Sequence, residues 1–265
     1  MEQRNISKDN KSRNNQFRSY VTKLLVLCFW LLVWELASSL IKQELFIPSP
    51  RSVLVALIKL STSQSFWFSI TNSFVRIVLG FVLGLLTGAV VAVFSYKSRL
   101  IYELISPLMK VIKSTPVASF IILALVWVKS DYLAVLISFL MVMPVSFSNI
   151  LYGLKSTDEK LLEMARVFGL SPWKCIKAIY FPAVLPFVIS AVSIGLGFSF
   201  KSGIAAEVIG RPANSIGLNL YEAKLYLMIK ELFAWTLVII IISMLFEKIV
   251  MKVLNIHGKK YMHKP

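Results

Sequence analysis

Two cysteines and two histidines are all the soft metal-ligand chemistry this chain carries, and they do not cluster. Cys28 lies in the first apolar run and Cys175 in a polar stretch far along the chain. They are placed at different levels of the fold, too far apart for a disulfide, whose Cα atoms must approach within about 7 Å. His257 and His263 stand in a basic C-terminal tail without a cysteine or carboxylate companion, so no metal site and no cofactor are expected. A Gly-x4-Gly-Lys-Ser/Thr loop that would cradle phosphates is missing. Missing too are a serine–histidine–acid set and paired carboxylates at a plausible site. The chain is therefore not expected to be an enzyme, and any uphill work it supports must draw energy from another subunit. Acidic residues are scarce as well, with 13 Asp and Glu against 29 Lys and Arg and a formal net charge of +16. In a soluble protein that balance would suggest nucleic acid, but no nucleic-acid motif accompanies it and no such partner is expected.

What the chain has in abundance is apolar length. Hydrophobic residues make up 57% of it, more than a soluble domain of this size could cover with polar surface. Several runs reach the roughly 18 to 25 residues that cross a bilayer, and the period-2 alternation of a membrane β-barrel is missing. The expected fold is an all-α, polytopic transmembrane helical bundle of about six spans, with the lipid bilayer as its first partner. The spans are read at about 24–41, 70–94, 100–128, 132–154, 187–200 and 232–251. Residues 1–23 form a basic and, over the first twenty, disordered tail, 24–66 a first span with its outer connection, 67–251 the main transmembrane domain, and 252–265 a second basic tail. A short amphipathic piece from about Arg51 to Leu60 is read as interfacial. Lys201 to Lys230 is read as an outer loop. The third run is interrupted by Pro107 and Pro116, which is tolerated only where protein or a wet cavity satisfies the freed backbone groups. It is read as a short surface helix followed by a span from about Thr115.

Gly80, Gly84 and Gly88 recur at four-residue spacing in the second run, one face on which a neighbouring helix can approach closely. Arg76, near that helix's end, is read as snorkelling. Lys and Arg on the segments assigned to the inside outnumber those outside by more than two to one, which places both termini in the cytoplasm.

The organising stretch is 158–186, DEKLLEMARVFGLSPWKCIKAIYFPAVLP within the polar loop 155–186. Leu161, Leu162, Ala165 and Phe168 share a helix face. Asp158 and Glu159 sit at its N-terminus, where the dipole favours acids, and Gly169 is placed to end it. Ser171-Pro172 restarts a helix, which Pro182 and Pro186 are expected to stop.

This stretch resembles the EAA loop of type-1 ABC transporter permeases: Glu-Ala-Ala, three residues, Gly, nine residues, Ile, one residue, Leu-Pro. The matching positions are Glu163, Met164, Ala165, Gly169, Ile179, Phe181 and Pro182, with Met164 and Phe181 as apolar exchanges. Ser73, Arg76, Gly80 and Phe81 further resemble the Ser-Leu-x-Arg…Gly-Phe pattern of the nitrate, sulfonate and taurine subfamily, with Phe74 in place of leucine. The Phe-Gly that follows the tryptophan there is absent after Trp127.

The resemblance implies an importer permease subunit forming the pathway of a small solute of the nitrate, sulfonate or taurine kind. It implies a cytoplasmic ABC ATPase dimer as motor, a second permease copy, most simply the same chain, and an extracytoplasmic solute-binding protein. The loop residues Asp158, Leu162, Glu163, Ala165, Gly169, Ile179 and Pro182 would couple to the ATPase, with Ala165 allowing close approach. Lys201 and Glu207 are candidates for gate or substrate groups; outer-loop charges contacting solvent or the binding protein are the alternative. A membrane scaffold or sensor, and an ion-driven carrier, remain as other functional classes.

Overall fold

The computed structural model describes residues 2–41 and 46–262, with side-chain surroundings for 21–41, 46–254 and 256. His257, His263 and Lys42 lie outside the described side chains. Among the described residues the chain is helical and contains no strand. It divides into two compact units, residues 1–60 with 223–234, and residues 61–222 with 235–265.

In the first unit, α1 (Glu2–Ile41) begins inside the polar tail read as disordered from sequence. Trp34 donates its indole N–H to the Pro48 carbonyl at 3.1 Å and stacks on Phe233 with ring centroids 6.0 Å apart. Trp34 thus faces protein, whereas Trp30 stays 63% exposed. The amphipathic helix read at 51–60 is α2 (Pro50–Ser61). The Ser52 N–H bonds to the Ser49 hydroxyl at 3.2 Å at its start, and its apolar face buries Val53 and Ala56.

The second unit is built on three long helices, α3 (Gln64–Lys97), α6 (Ser130–Lys155) and α9 (Phe181–Gly210). Their small residues set how closely they pack. A Cβ added to Gly84 would stand 2.8 Å from the Phe139 carbonyl oxygen, and one on Gly88 2.5 Å from that of Met143. Gly80 meets Val135 and Ser138 in the same way, so the glycine stripe lies directly on the α6 backbone and the two helices run parallel. Ser146 Oγ donates to the Leu85 carbonyl at 2.7 Å, and Ser138 Oγ to that of Ser199 at 3.1 Å. Residues of α9 pair with the other two in reverse order: Gly203 meets Ile77 and Ser138, and Gly153 meets Phe187. Since the obstacle at Gly84 is backbone, Gly84→Val is expected to cost about 1–3 kcal/mol through overpacking. A lowered thermal midpoint of the purified protein would register it.

Between α3 and α6 the chain forms α4 (Arg99–Ser114) and α5 (Val117–Ala124), bent by 101° at their junction. Pro107 sits inside α4. Thr115-Pro116 makes the corner, because the residue before a proline avoids the α region and Thr115 is extended, with ψ 130. The separate span expected from Thr115 is therefore corrected: α5 has 8 residues, about 12 Å of helix. Four helices among the described residues are long and apolar enough to cross a membrane, five if the bent pair counts as one. The last apolar run read from sequence lies in α11 (Ile229–Met262).

The fifth run is longer than its sequence suggests. Neither Pro182 nor Pro186 stops the helical path restarted at Ser171-Pro172: Pro182 sits in the first turn of α9, where its missing N–H is harmless, and Pro186 is carried inside the helix. Gly195 and Gly197 do not end it either. The helix continues to Gly210 and closes where Arg211 turns left-handed, φ 51 and ψ 51, just before Pro212. Lys201 and Glu207, read as outer-loop residues, are thus corrected to positions on α9. The short α10 (Ile216–Leu225) follows.

Candidate functional site

Two features stand at opposite ends of the α3, α6 and α9 bundle. At the end where α6 finishes and α9 begins, the chain makes a helical hook. Asp158 caps α7 (Glu159–Val167), its Oδ1 accepting from the Lys160 N–H at 2.9 Å. The far end closes by a Schellman arrangement: the Gly169 N–H donates to Arg166 O at 3.0 Å and the Leu170 N–H to Ala165 O at 2.9 Å. Gly169 takes φ +63, which glycine adopts without steric cost.

Ser171 then precedes α8 (Pro172–Cys175), and a π-helical turn, Ile176–Tyr180, leads into α9. In that turn the Phe181 N–H reaches back to Ile176 O. Single π turns are an irregularity found often at functional sites. Tyr180 and Tyr96 bring their hydroxyls to 3.4 Å, and Lys155 Nζ lies 4.4 Å from the centre of the Tyr102 ring. The first contact ties the π turn to α3, and the second ties the end of α6 to α4.

Burial divides the predicted coupling residues. Ala165 is 4% exposed and packs inward; Leu162, Ile179 and Pro182 are half-buried, and Asp158, Glu163 and Gly169 are exposed. Ala165, expected to allow close approach by a partner, is covered by its own chain. The large exposed side chains of the hook are instead Val167, Phe168 and Trp173, at 84%, 75% and 73%. The spacing of 161, 162, 165 and 168 predicts one helix face for all four. The helix ends at Val167, so Phe168 leaves the face. Cys175, half-buried, and Cys28, exposed, are both free thiols.

At the opposite end Glu207 is completely buried. Its Oε2 accepts from Ser73 Oγ at 2.6 Å and from the Gly217 N–H at 3.2 Å, while Ser73 Oγ accepts from the Ile216 N–H at 2.9 Å. Its Oε1 has no hydrogen bond and faces Arg76 Nη1, also unbonded, across 3.7 Å. That separation is an ion pair but too long for a hydrogen bond. Arg76 Nη2 completes the group on Asp131 Oδ1 at 3.0 Å. Arg76 is thus a bridging cation between α6 and α9, and the snorkelling role expected for it is corrected. Asp131 was missed from sequence. The available signal was an acid at the start of one apolar run and a cation near the start of another.

Lys201 occupies a third position, on α9 between these two ends. It is exposed and lines a cavity of about 480 Å³ between α9 and α11, with Glu247 and Ser243 on the α11 side.

Residues 80–261 match the family described as binding-protein-dependent transport system inner membrane component. The chain belongs to this family. The permease is accordingly a multi-pass inner-membrane protein of the type-1 ABC importer class. It is 26% identical over 233 residues to the Escherichia coli K12 taurine transport system permease protein TauC, covering 85% of this chain and 83% of that one. It is 30% identical over 199 residues to the E. coli K12 putative aliphatic sulfonates transport permease protein SsuC, covering 74% of each. With the nitrate import permease protein NrtB of Synechocystis the identity is 23% over 230 residues, covering 83% and 82%. Among solved structures, a bacterial ABC transporter involved in the import of alginate aligns with TM-score 0.58 at 16% identity, over 89% of the permease and 96% of that chain. An amino acid ABC transporter aligns with TM-score 0.57 at 18% identity, over 76% and 97%. The latter two show the fold.

Proposed function

We propose that the permease forms the translocation pathway of an ATP-driven importer for a small solute of the nitrate, sulfonate or taurine kind. The hook around α7 is its contact with a separate cytoplasmic ABC ATPase. The observation that carries this reading is the hook's surface: three large apolar side chains, Val167, Phe168 and Trp173, stand largely in solvent, and the exposed Glu163 lies one helical turn before Val167. An exposed apolar group with a polar rim marks a protein contact, and here it runs from the last residue of α7 across its glycine turn into α8. Gly169 and the π turn set its angle to α9, so a force on the hook is delivered to the base of a long helix. Two copies of the chain, two ATPases and an extracytoplasmic binding protein complete the assembly, with both termini on the ATPase side. The excess of Lys and Arg near the hook end supports that orientation.

ATP-dependent uptake of labelled taurine, an alkanesulfonate and nitrate into vesicles that hold the permease and its ATPase tests the reading. Uptake that persists without ATP and collapses with the ion gradient would move the chain to the ion-driven carriers. A cross-linker placed at Val167 should capture the ATPase. Glu163→Lys, which reverses the exposed charge one helical turn before Val167, should lower uptake by about tenfold, the worth of one charge-assisted contact.

A further inference from the structure

Lys201 is an exposed cation on α9, a helix long and apolar enough to cross a membrane. Among the described residues no carboxylate lies within ion-pair distance of it. A lysine so placed is costly against lipid and belongs at a wet cavity or a partner. The cavity it lines holds about 480 Å³, within the range of small-molecule sites. Phe200, Ile204, Ile239 and Ile240 form its apolar walls, and Ser243 and Glu247 its polar ones. Glu247 is not turned toward Lys201: its Oε1 accepts from Ser193 Oγ at 3.0 Å. Ser193 precedes Lys201 by two turns of α9, about 12 Å of axial rise. A positive and a negative group are thus held apart along one cavity, with the Ser243 hydroxyl also on its wall. A simple anion would meet Glu247 as a repulsion, and a simple cation would meet Lys201. A solute bearing both charges satisfies both.

We propose that this cavity binds a small zwitterion, its oxyanion at Lys201 and its ammonium at Glu247. The assignment rests on the permease reading and names the solute chemistry within it.

The test needs neither ATP nor transport, so its failure is separable from failure of the importer reading. In a Cys28→Ser, Cys175→Ser background, Ser243→Cys in membranes is labelled with a water-soluble methanethiosulfonate, and protection by taurine is titrated. Labelling is expected, with taurine protecting. Lys201→Met and Glu247→Gln should each raise the half-protecting concentration by about tenfold or more, one charge-assisted hydrogen bond. Ethanesulfonate, which has the anion alone, should lose protection with Lys201→Met and keep it with Glu247→Gln. A Cys at 243 that water-soluble reagent cannot reach, labelling that taurine does not slow, or protection indifferent to both substitutions overturns the assignment.

Discussion

A Gly169→Val permease is expected to keep its fold and lose most of its ATP-driven uptake. Nothing lies within 4 Å of where a Cβ at Gly169 would stand, so valine meets no clash with its surroundings and the cost is confined to the backbone. Holding an L-residue at φ +63 costs about 1–2 kcal/mol, and a β-branched residue suits that region least. The two bonds that close the turn, from the Gly169 and Leu170 N–H groups, are exposed and individually modest, about 0.5–1.5 kcal/mol each. The cheaper response to valine is therefore to release the turn, letting α7 swing on a loosened joint. Because the hook is peripheral to the α3, α6 and α9 core, the thermal midpoint should hardly move. Transport would suffer because motion of the ATPase no longer reaches α9. Asparagine, which tolerates the left-handed region, should retain more uptake than alanine, and alanine more than valine. Uptake measured beside ATP hydrolysis in the assembled transporter would show the uncoupling. Wild-type uptake by the valine variant would mean that this turn transmits nothing.

Much of this architecture could be read before any coordinates, for reasons that differ along the chain. The glycine stripe at 80, 84 and 88 was legible because four-residue spacing puts small residues on one helical face whatever the neighbour. The neighbour itself, the backbone of α6 from Val135 to Met143, was not, since nothing local in α3 specifies it. The α7 cap and the Gly169 turn were legible because capping is decided within a few residues. Pro182 and Pro186 misled because a proline is a stop only where its missing N–H and its ring cannot be accommodated. Here the preceding π turn and the helix start absorb the first, and α9 carries the second. That misreading moved only the start of the fifth span, to 187; its other end, read at 200 just before the charge of Lys201, left Lys201 and Glu207 in a loop. The charged group at Glu207 was invisible for another reason. Its members stand at 73, 76, 131 and 207, on three helices, and only the packing brings them together.

That group carries the second large expectation. Arg76→Met should destabilise the permease far more than Asp131→Asn, although Arg76 bonds more closely to Asp131, at 3.0 Å, than to Glu207, at 3.7 Å. Burial decides the order. The Asp131 side chain is 60% exposed, and an exposed pair contributes about 0–1 kcal/mol. Glu207 is fully buried, and taking away the partner of a buried charge costs about 3–5 kcal/mol because the remaining charge has no water to turn to. Ser73 and the Gly217 N–H serve only Oε2, so without Arg76 the other oxygen would face no positive group. Removing both members should relieve part of the penalty: Arg76→Met with Glu207→Leu is expected to lose less than the sum of the two single losses, the signature of direct coupling. Thermal midpoints of the four proteins in one detergent supply the cycle. Because the group joins the starts of α3 and α6 to the end of α9, opposite the hook, its loss should loosen that end of the bundle first. Faster hydrogen exchange there than around α7 would show it. A midpoint for Arg76→Met no lower than that for Asp131→Asn would mean the buried pair does not hold these helices together.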